Sequence, residues 1–446
     1  MLKKVIGLFC AVCLLLTFCC CGKQPKEKDY VNDAELSNIA RKEIISVYSG
    51  NFSGRASKLM SEDFLLFIEK EFRTDSILAL HSALKNGTYT EETWYDVTGN
   101  TIRVLECYYK GELNPDSPNY RDNIKVIGDN DGKAVIRVTG DMSLADNWEI
   151  MPKLKSRGKG LLGVMSEDTV KALQTADITL VNNEFTYSKR GQPLANKLYT
   201  FRADPANVSV FNELGVDIVS LANNHAYDYG PDAFSDTMDT LKGAKIPYIG
   251  GGSDLDEAKK PFYFIVEGRM VGFSAATKAE KYRLTPEATD TTSGVLRTYD
   301  PSKYIEVLES VEKECDYNIA YVHWGKEGSH EIEDGLREMG AQFIDAGADI
   351  VIGAHAHLLQ GIEYYNGKPI VFNLGNFLFN AKTMDSGILE LTVDKNGLGC
   401  RFIPCVQSGC FVKIVEGDEA TRVLQFINSL SSGVRFSDDG SFCEER

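Results

Sequence analysis

The stretch Ile178-Thr179-Leu180-Val181-Asn182-Asn183-Glu184 is a short apolar run that closes in a polar cluster, and the same construction recurs four times. Ala134 to Val138 leads into Gly140-Asp141, Ile218 to Leu221 into Asn223-Asn224-His225, Ile319 to Val322 into His323-Trp324-Gly325, and Ile350 to Ile352 into His355-Ala356-His357. Between the runs lie segments such as Phe234, Met238, Leu241 and Tyr304, Val307, Leu308, Val311, whose spacing gives each a single apolar helical face. Strand-like runs alternating with helices predict a layered α/β domain. Its strand ends form the ligand crevice, so five clusters far apart in sequence are expected to converge in space. The turns Tyr365-Asn366-Gly367-Lys368 and Lys395-Asn396-Gly397 predict hairpins and hence a mixed sheet. A last helix is expected from about Glu419 to Leu430.

The clusters are rich in metal-ligand chemistry. Of six histidines, four stand in them: His225, His323, His355 and His357. Taken singly the residues have plainer uses. Asp141 or Asn224 alone reads as a helix N-cap, Glu184 as the partner of Lys189 or Arg190, and Trp324 as packing. His355 and His357 are harder to set aside, because positions i and i+2 of an extended segment face one side and bring two imidazoles to one ion. Carboxylate, amide and imidazole ligands without a thiolate suit one or two ions of manganese, iron or zinc better than calcium. Two ions about 3.5–4 Å apart would bring a bound water's pKa towards ~7, and His225 would then protonate a leaving group or hold developing charge. Lys153, Lys155, Arg157 and Lys159 form a local cationic run that reads either as a solvated loop or as a lure for a polyanion. Glu327 and His330 are candidates for the mouth of the same site.

The rest of the 446 residues sets the context. With 48 basic against 64 acidic side chains the net charge is −16, which disfavours nucleic acid as a partner. Met1-Leu2-Lys3-Lys4 followed by the uncharged run Val5 to Phe18 has the layout of an export signal and is too short to span a bilayer. Cys19, Cys20 and Cys21 close it as in a lipoprotein signal, with Cys21 the expected lipidated residue after a segment 1–21, and residues 22–32 a polar tether. A simple cleaved signal is the plainer alternative. Residues 33–130 are expected to form a small α+β accessory region: a helical pattern from Asp33 to about Lys85, with Phe64, Phe67, Ile68 and Phe72 on one face, then a β-like stretch Thr101 to Leu105. The character changes after Asp129-Asn130-Asp131-Gly132, so residues 131–446 are expected to be the main domain. The six cysteines beyond the signal fit neither a zinc ribbon nor a dense disulfide scaffold.

Gly140-Asp141, Asn182-Asn183-Glu184, Asn223-Asn224-His225, His323-Trp324-Gly325-Lys326-Glu327, Gly353-Ala354-His355-Ala356-His357 and Asn373-Leu374-Gly375-Asn376-Phe377 together resemble, in order and spacing over roughly Val135 to Asn380, the CapA family of poly-γ-glutamate capsule synthesis proteins. That family in turn resembles the calcineurin-like metallophosphoesterases, which implies a layered β-sandwich flanked by helices with metals at the strand ends. By this resemblance Asp141, Glu184, Asn224, His323, His355 and His357 are expected metal ligands and His225 the acid or charge stabiliser, with Glu327, Lys153, Lys155 and Arg157 on the substrate side. The sequence departs from the phosphoesterase pattern where Asp-x-His reads Asp141-Met142-Ser143. The function implied is synthesis, export or processing of an anionic capsular polymer by an exported, lipid-anchored envelope protein, alongside other capsule synthesis proteins. Two alternatives stand beside it: hydrolysis of a phosphate ester, and a lipoprotein that holds polymer without turnover.

Overall fold

The computed structural model describes residues 33–52, 55–128, 132–279 and 284–445. The expected signal, the tether and Cys21 lie outside them, as does the turn at residues 129–131. No helix among the described residues is long and apolar enough to cross a membrane.

All five apolar runs are strands: Ala134–Met142, Ile178–Asn183, Ile218–Ser220, Tyr317–His323 and Ile350–Ala354. The first three run parallel in one sheet, the last two parallel in another. The first sheet follows the order Val434–Phe436, Ser441–Glu444, Gly397–Gln407, Met384–Asp394, Ala134–Met142, Ile178–Asn183, Ile218–Ser220, Tyr248–Ile249. The second follows Ile124–Ile127, Phe262–Val266, Arg269–Thr277, Tyr317–His323, Ile350–Ala354, Lys368–Leu374, Leu359–Tyr365. Both Asn-Gly turns close antiparallel hairpins, with Asn366 and Gly367 at φ 49 and 75.

The sheets face each other across a core that includes Ile136, Val138, Leu180, Phe264, Phe273, Ile319, Ile352 and Leu389. Each such side chain contributes about 1.5–3 kcal/mol when it leaves water. Successive residues point to opposite faces, so Leu180 enters this core while Val181 joins the helix layer outside it with Phe211, Phe234 and Leu241. Tyr304, Leu308 and Phe343 cover the other sheet from the helices Ser302–Glu314 and Asp334–Asp345. Strands buried on both faces read as unbroken apolar runs, which is why the sequence announces them. The architecture is α/β, a two-sheet sandwich with helices on both outer faces.

The described residues of 33–110 form six helices around their own core of Ile44, Tyr48, Phe64, Leu65, Ile68, Leu80 and Trp94. The extended stretch expected at Thr101 to Leu105 is instead the start of the helix Ile102–Lys110. Ile102 and Leu105 bury into the helical core while Val104 and Cys107 bury against the sandwich, and a helix apolar on two sides imitates a strand's alternation. The strand of this part is Ile124–Ile127, which joins the edge of the second sheet parallel to Phe262–Val266. A polar seam docks the helices. Thr101 donates to Asp316 at 2.7 Å, and Arg269 grips Glu92 with two bonds of 2.9 and 3.0 Å. The hairpin tip Gly268, at φ 66, accepts Thr101 N–H at 2.8 Å, and a Cβ there would meet Gly99 O at 1.8 Å.

Candidate metal centre

The five clusters do converge. Asp141 lies near the end of its strand, opposite Asn376 of the parallel strand Asn376–Leu378. Its approach depends on Gly140, because a Cβ there would sit 1.9 Å from Gly375 O, the carbonyl that accepts Asp141 N–H at 3.0 Å. Glu184 follows the strand Ile178–Asn183, Asn224 and His225 stand in the turn after Ile218–Ser220, and His323 ends Tyr317–His323. Asp141, Glu184 and His323 are fully buried, and Asn224, His225 and His355 nearly so. The side chain of His357 keeps 18% of its surface exposed and is the opening of the centre to solvent.

His355 and His357 reach the centre by a route that differs from expectation. The strand ends at Ala354, and the two histidines sit in the bend beyond it, at φ 94 and 58, rather than on an extended segment. Left-handed backbone at a side chain with a Cβ costs of order 1–3 kcal/mol and persists where the surroundings impose it. Here the bend turns both rings inward. His355 N–H donates to Asp141 Oδ2 at 3.2 Å, and the His323 and His355 rings lie 4.6 Å apart.

Two groups of ligand atoms result, each within 4.8 Å: Glu184, His323 and His355 in one, and Asp141, Glu184 and His357 in the other. Glu184 belongs to both. Its Oε1 lies 3.7 Å from His323 Nε2, 3.8 Å from His357 Nε2 and 4.0 Å from His225 Nε2, and it has no hydrogen-bond partner among the described residues. A buried carboxylate oxygen left unpaired amid three imidazole nitrogens costs free energy unless a cation completes it. Donors 3.7–4.0 Å apart are too far for hydrogen bonds and suited to share an ion. Asn224 Oδ1 lies 2.8 Å from His323 Nε2, beside the same set.

The electrostatics agree. Burial alone would raise the Asp141 carboxyl, but the hydrogen bond and charge of His357 hold it well below the usual carboxylate range. Burial would likewise lower His357, and Asp141 raises it instead. Glu184 is pushed well up by burial and by the charge of Asp141. Burial and the His355 ring push His323 far down, and burial followed by His357 lowers His355 to about 3. His323 and His355 are thus neutral imidazoles ready to act as ligands, while His357 and Glu184 hold protons that a divalent ion would displace on binding.

Several partners go beyond the expected site residues, Asn182 and Asn376 from within the sequence motifs and Asp228 and Lys197 from outside them. Asn182 donates to Asp141 Oδ1 at 2.8 Å and to Glu184 Oε2 at 3.2 Å, orienting both carboxylates. Asn376 Oδ1 lies 2.8 Å from His357 Nδ1. Asp228 Oδ2 lies 2.7 Å from His225 Nδ1, and the buried Lys197 pairs with the other Asp228 oxygen at 2.8 Å. Asp228 stands one turn after His225 in a sequence of turn residues, a spacing that could have marked it.

The candidate substrate residues part company. Glu327 lines a cavity of about 400 Å³ together with His357, Asn376, Asn380, Lys382 and Met384. Lys153, Lys155 and Arg157 are not among its lining residues: Lys155 pairs with Asp146, and Arg157 donates to the carbonyls of Gly163, Gly409 and Cys410. Arg157 thus fastens its helix to the loop after Gly397–Gln407, a structural use that a run of basic letters conceals. His330 meets Leu359 O at 2.7 Å and packs on Phe426, away from the two ligand groups. Trp324 is core packing, stacked on Phe343 and Phe372.

Comparison with known proteins places the sequence among capsule synthesis proteins. The PGA biosynthesis protein CapA of Bacillus subtilis (strain 168) is 33% identical over 221 residues, 49% of this chain and 57% of that protein. The capsule biosynthesis protein CapA of Bacillus anthracis is 29% identical over 222 residues, 47% of this chain and 52% of that protein. The chain thus spans about half the length of these curated relatives. The crystal structure of TT1561 of Thermus thermophilus aligns with 57% of this chain and 93% of that one, at 10% identity and a TM-score of 0.31, too distant to bear on fold or function. The family described as bacterial capsule synthesis protein PGA_cap matches residues 135–381, the span that holds every residue of the centre from Asp141 to Asn376, and the chain belongs to that family.

Proposed function

We propose that this chain is an envelope-anchored, metal-dependent protein of capsular polymer synthesis that cleaves or transfers an amide bond of an anionic poly-γ-glutamate chain. The observation that carries the metal-dependent part is the buried, unpartnered Glu184 Oε1 amid three imidazole nitrogens. Asp141, Glu184, Asn224, His323, His355 and His357 would hold one or two ions of manganese, iron or zinc, the metals this donor set suits. Bound there, such ions supply Lewis acidity at the reacting carbonyl and to water.

The protein's own groups supply the rest. Asp228 fixes the Nδ1 proton of His225 and so aims Nε2 at the centre, and Phe201 packs against the ring with centroids 4.3 Å apart. In its imidazolium form His225 donates the Nε2 proton to the departing nitrogen. Burial lowers the pKa of His225, which favours release of that proton. Asn182 donates to both Asp141 and Glu184 and so holds the two carboxyl groups that would bind the ions. Anchoring follows from residues 1–21 acting as a lipoprotein signal with Cys21 lipidated, and the B. subtilis relative's name in PGA biosynthesis supports the choice of polymer.

The test is metal analysis of the purified chain, followed by assay against poly-γ-glutamate and p-nitrophenyl phosphate with and without His225→Ala. Metal retained at one or two equivalents and polymer turnover lost in His225→Ala are expected. Phosphate release abolished by the same substitution, with no polymer turnover, would replace this activity by a phosphoesterase. Metal and polymer bound without any turnover would make the chain a binding protein.

A further inference from the structure

The strand Asn376–Leu378, which brings Asn376 to His357, continues into a loop fixed atom by atom. Gln407 is fully buried and holds that loop with both ends of its amide. Its Oε1 accepts Phe379 N–H at 2.9 Å and Asn380 N–H at 3.2 Å, and its Nε2 donates to Asn380 Oδ1 at 2.9 Å and to Lys382 O at 3.3 Å. Asn380 Oδ1 also accepts Lys382 N–H at 3.0 Å, Gly409 N–H donates to Ala381 O at 2.9 Å, and Glu149 accepts Ala381 N–H. A buried side chain devoted to one surface loop pre-forms it, and what the loop presents is Lys382. The ammonium makes no ion pair among the described residues. It lies on the wall of the cavity of about 400 Å³ that is also lined by His357, Asn376 and Glu327.

We propose that this cavity is the recognition subsite of the metal centre, with Lys382 the specificity-determining cation, and that it takes a carboxylated amino-acid chain. The inference rests on the function proposed above. A lone ammonium on a rigid loop is a compact charge suited to a carboxylate or phosphate oxygen. Glu327 distinguishes the two: its carboxylate, 3.9 Å from His355 Nε2 and more than half exposed, accepts an N–H and repels additional negative charge. A chain in which each carboxylate neighbours an amide N–H satisfies both walls, whereas a phosphate dianion satisfies only one.

The experiment is calorimetric titration of the full, metal-loaded chain with γ-linked triglutamate and, separately, with inorganic phosphate, metal content being measured on the same samples. Lys382→Ala is expected to weaken triglutamate by about tenfold, and Lys382→Arg by no more than about twofold. Neither changes metal content, and phosphate, which also meets the Lys382 ammonium, weakens in Lys382→Ala by less than triglutamate does. Glu327→Gln is expected to weaken triglutamate and strengthen phosphate, opposite signs that a merely structural role would not produce. Unchanged triglutamate affinity in Lys382→Ala with metal retained overturns the subsite. So does a loss confined to phosphate, or a wild-type chain that does not bind triglutamate. Triglutamate binding that depends on Lys382 in a chain retaining no metal supports the subsite while removing the metal centre, so the two ideas fail separately.

Discussion

Arg41 in the N-terminal helices and Glu184 in the sandwich are both charges taken out of water, and their surroundings are opposite in kind. Arg41 is 6% exposed; it bonds Glu62 at 2.8 Å and Ser37 at 2.9 Å, and also pairs with Glu69, so its charge is met within the protein. Glu184 is fully buried beside a second carboxylate, and one of its oxygens has no partner among the described residues. Around Arg41 the core is aliphatic and aromatic; around Glu184 two histidines hold left-handed backbone. One region is arranged to be stable alone, the other to be completed by something that binds. A centre whose charge balance is deferred to a ligand is where function is expected.

The sharpest way to break this contrast is Glu184→Gln. Because Glu184 belongs to both ligand groups, the substitution should lower metal affinity by more than about 100-fold at every site, against the 10–100-fold typical of an outer-shell partner. Metal analysis after dialysis checks it, and retention of a full equivalent would show that Glu184 is not the shared ligand. The mirror experiment is Trp94→Ala. Trp94 is fully buried beside Phe64, 5.9 Å between centroids, so its loss should cost about 3–5 kcal/mol of stability. Metal content should not change if the two regions divide their tasks as described. Arg41→Met should cost less, about 1–2 kcal/mol, because Glu62 and Glu69 are partly exposed and can rehydrate when the pair is broken. Denaturant titration of the two variants orders the effects.

The same contrast explains what the sequence discloses. The five strands are legible because burial on both faces leaves no polar alternation to misread, and their terminal clusters are legible because chemistry-bearing residues end them repeatedly. The residues that converge are therefore readable from Asp141 to His357. Their geometry is less so: an extended His-x-His and a left-handed His355-Ala356-His357 bend have the same letters, and only packing around Ala354 and Asp141 selects the second. Thr101 to Leu105 misleads because its helix is apolar on two sides. Arg157 and Gln407 are illegible for a shared reason, whereas the three-residue spacing of Asp228 from His225 could have marked it. Arg157 and Gln407 each act on backbone that only tertiary contact brings near, far along the chain.

The smallest effect isolates the deferred charge itself. In chelator-stripped protein the Glu184 carboxyl is raised by burial and by Asp141, so its folded pKa exceeds the unfolded value near 4.5. Stability associated with that proton is fully present below the unfolded pKa and is lost as pH rises towards the folded one. His323 and His355, lowered by burial, act in the other direction, losing stability as pH falls below about 6.5, but they are common to wild type and variant. Metal-free Glu184→Gln should therefore melt above metal-free wild type by a few degrees, with a gap that widens from pH 5 to pH 8. Adding a divalent ion should reverse the order, since only the wild type recovers a partner for Oε1. Parallel melting curves at both pH values would mean that the unpaired oxygen costs nothing, and the contrast with Arg41 would lose its physical basis.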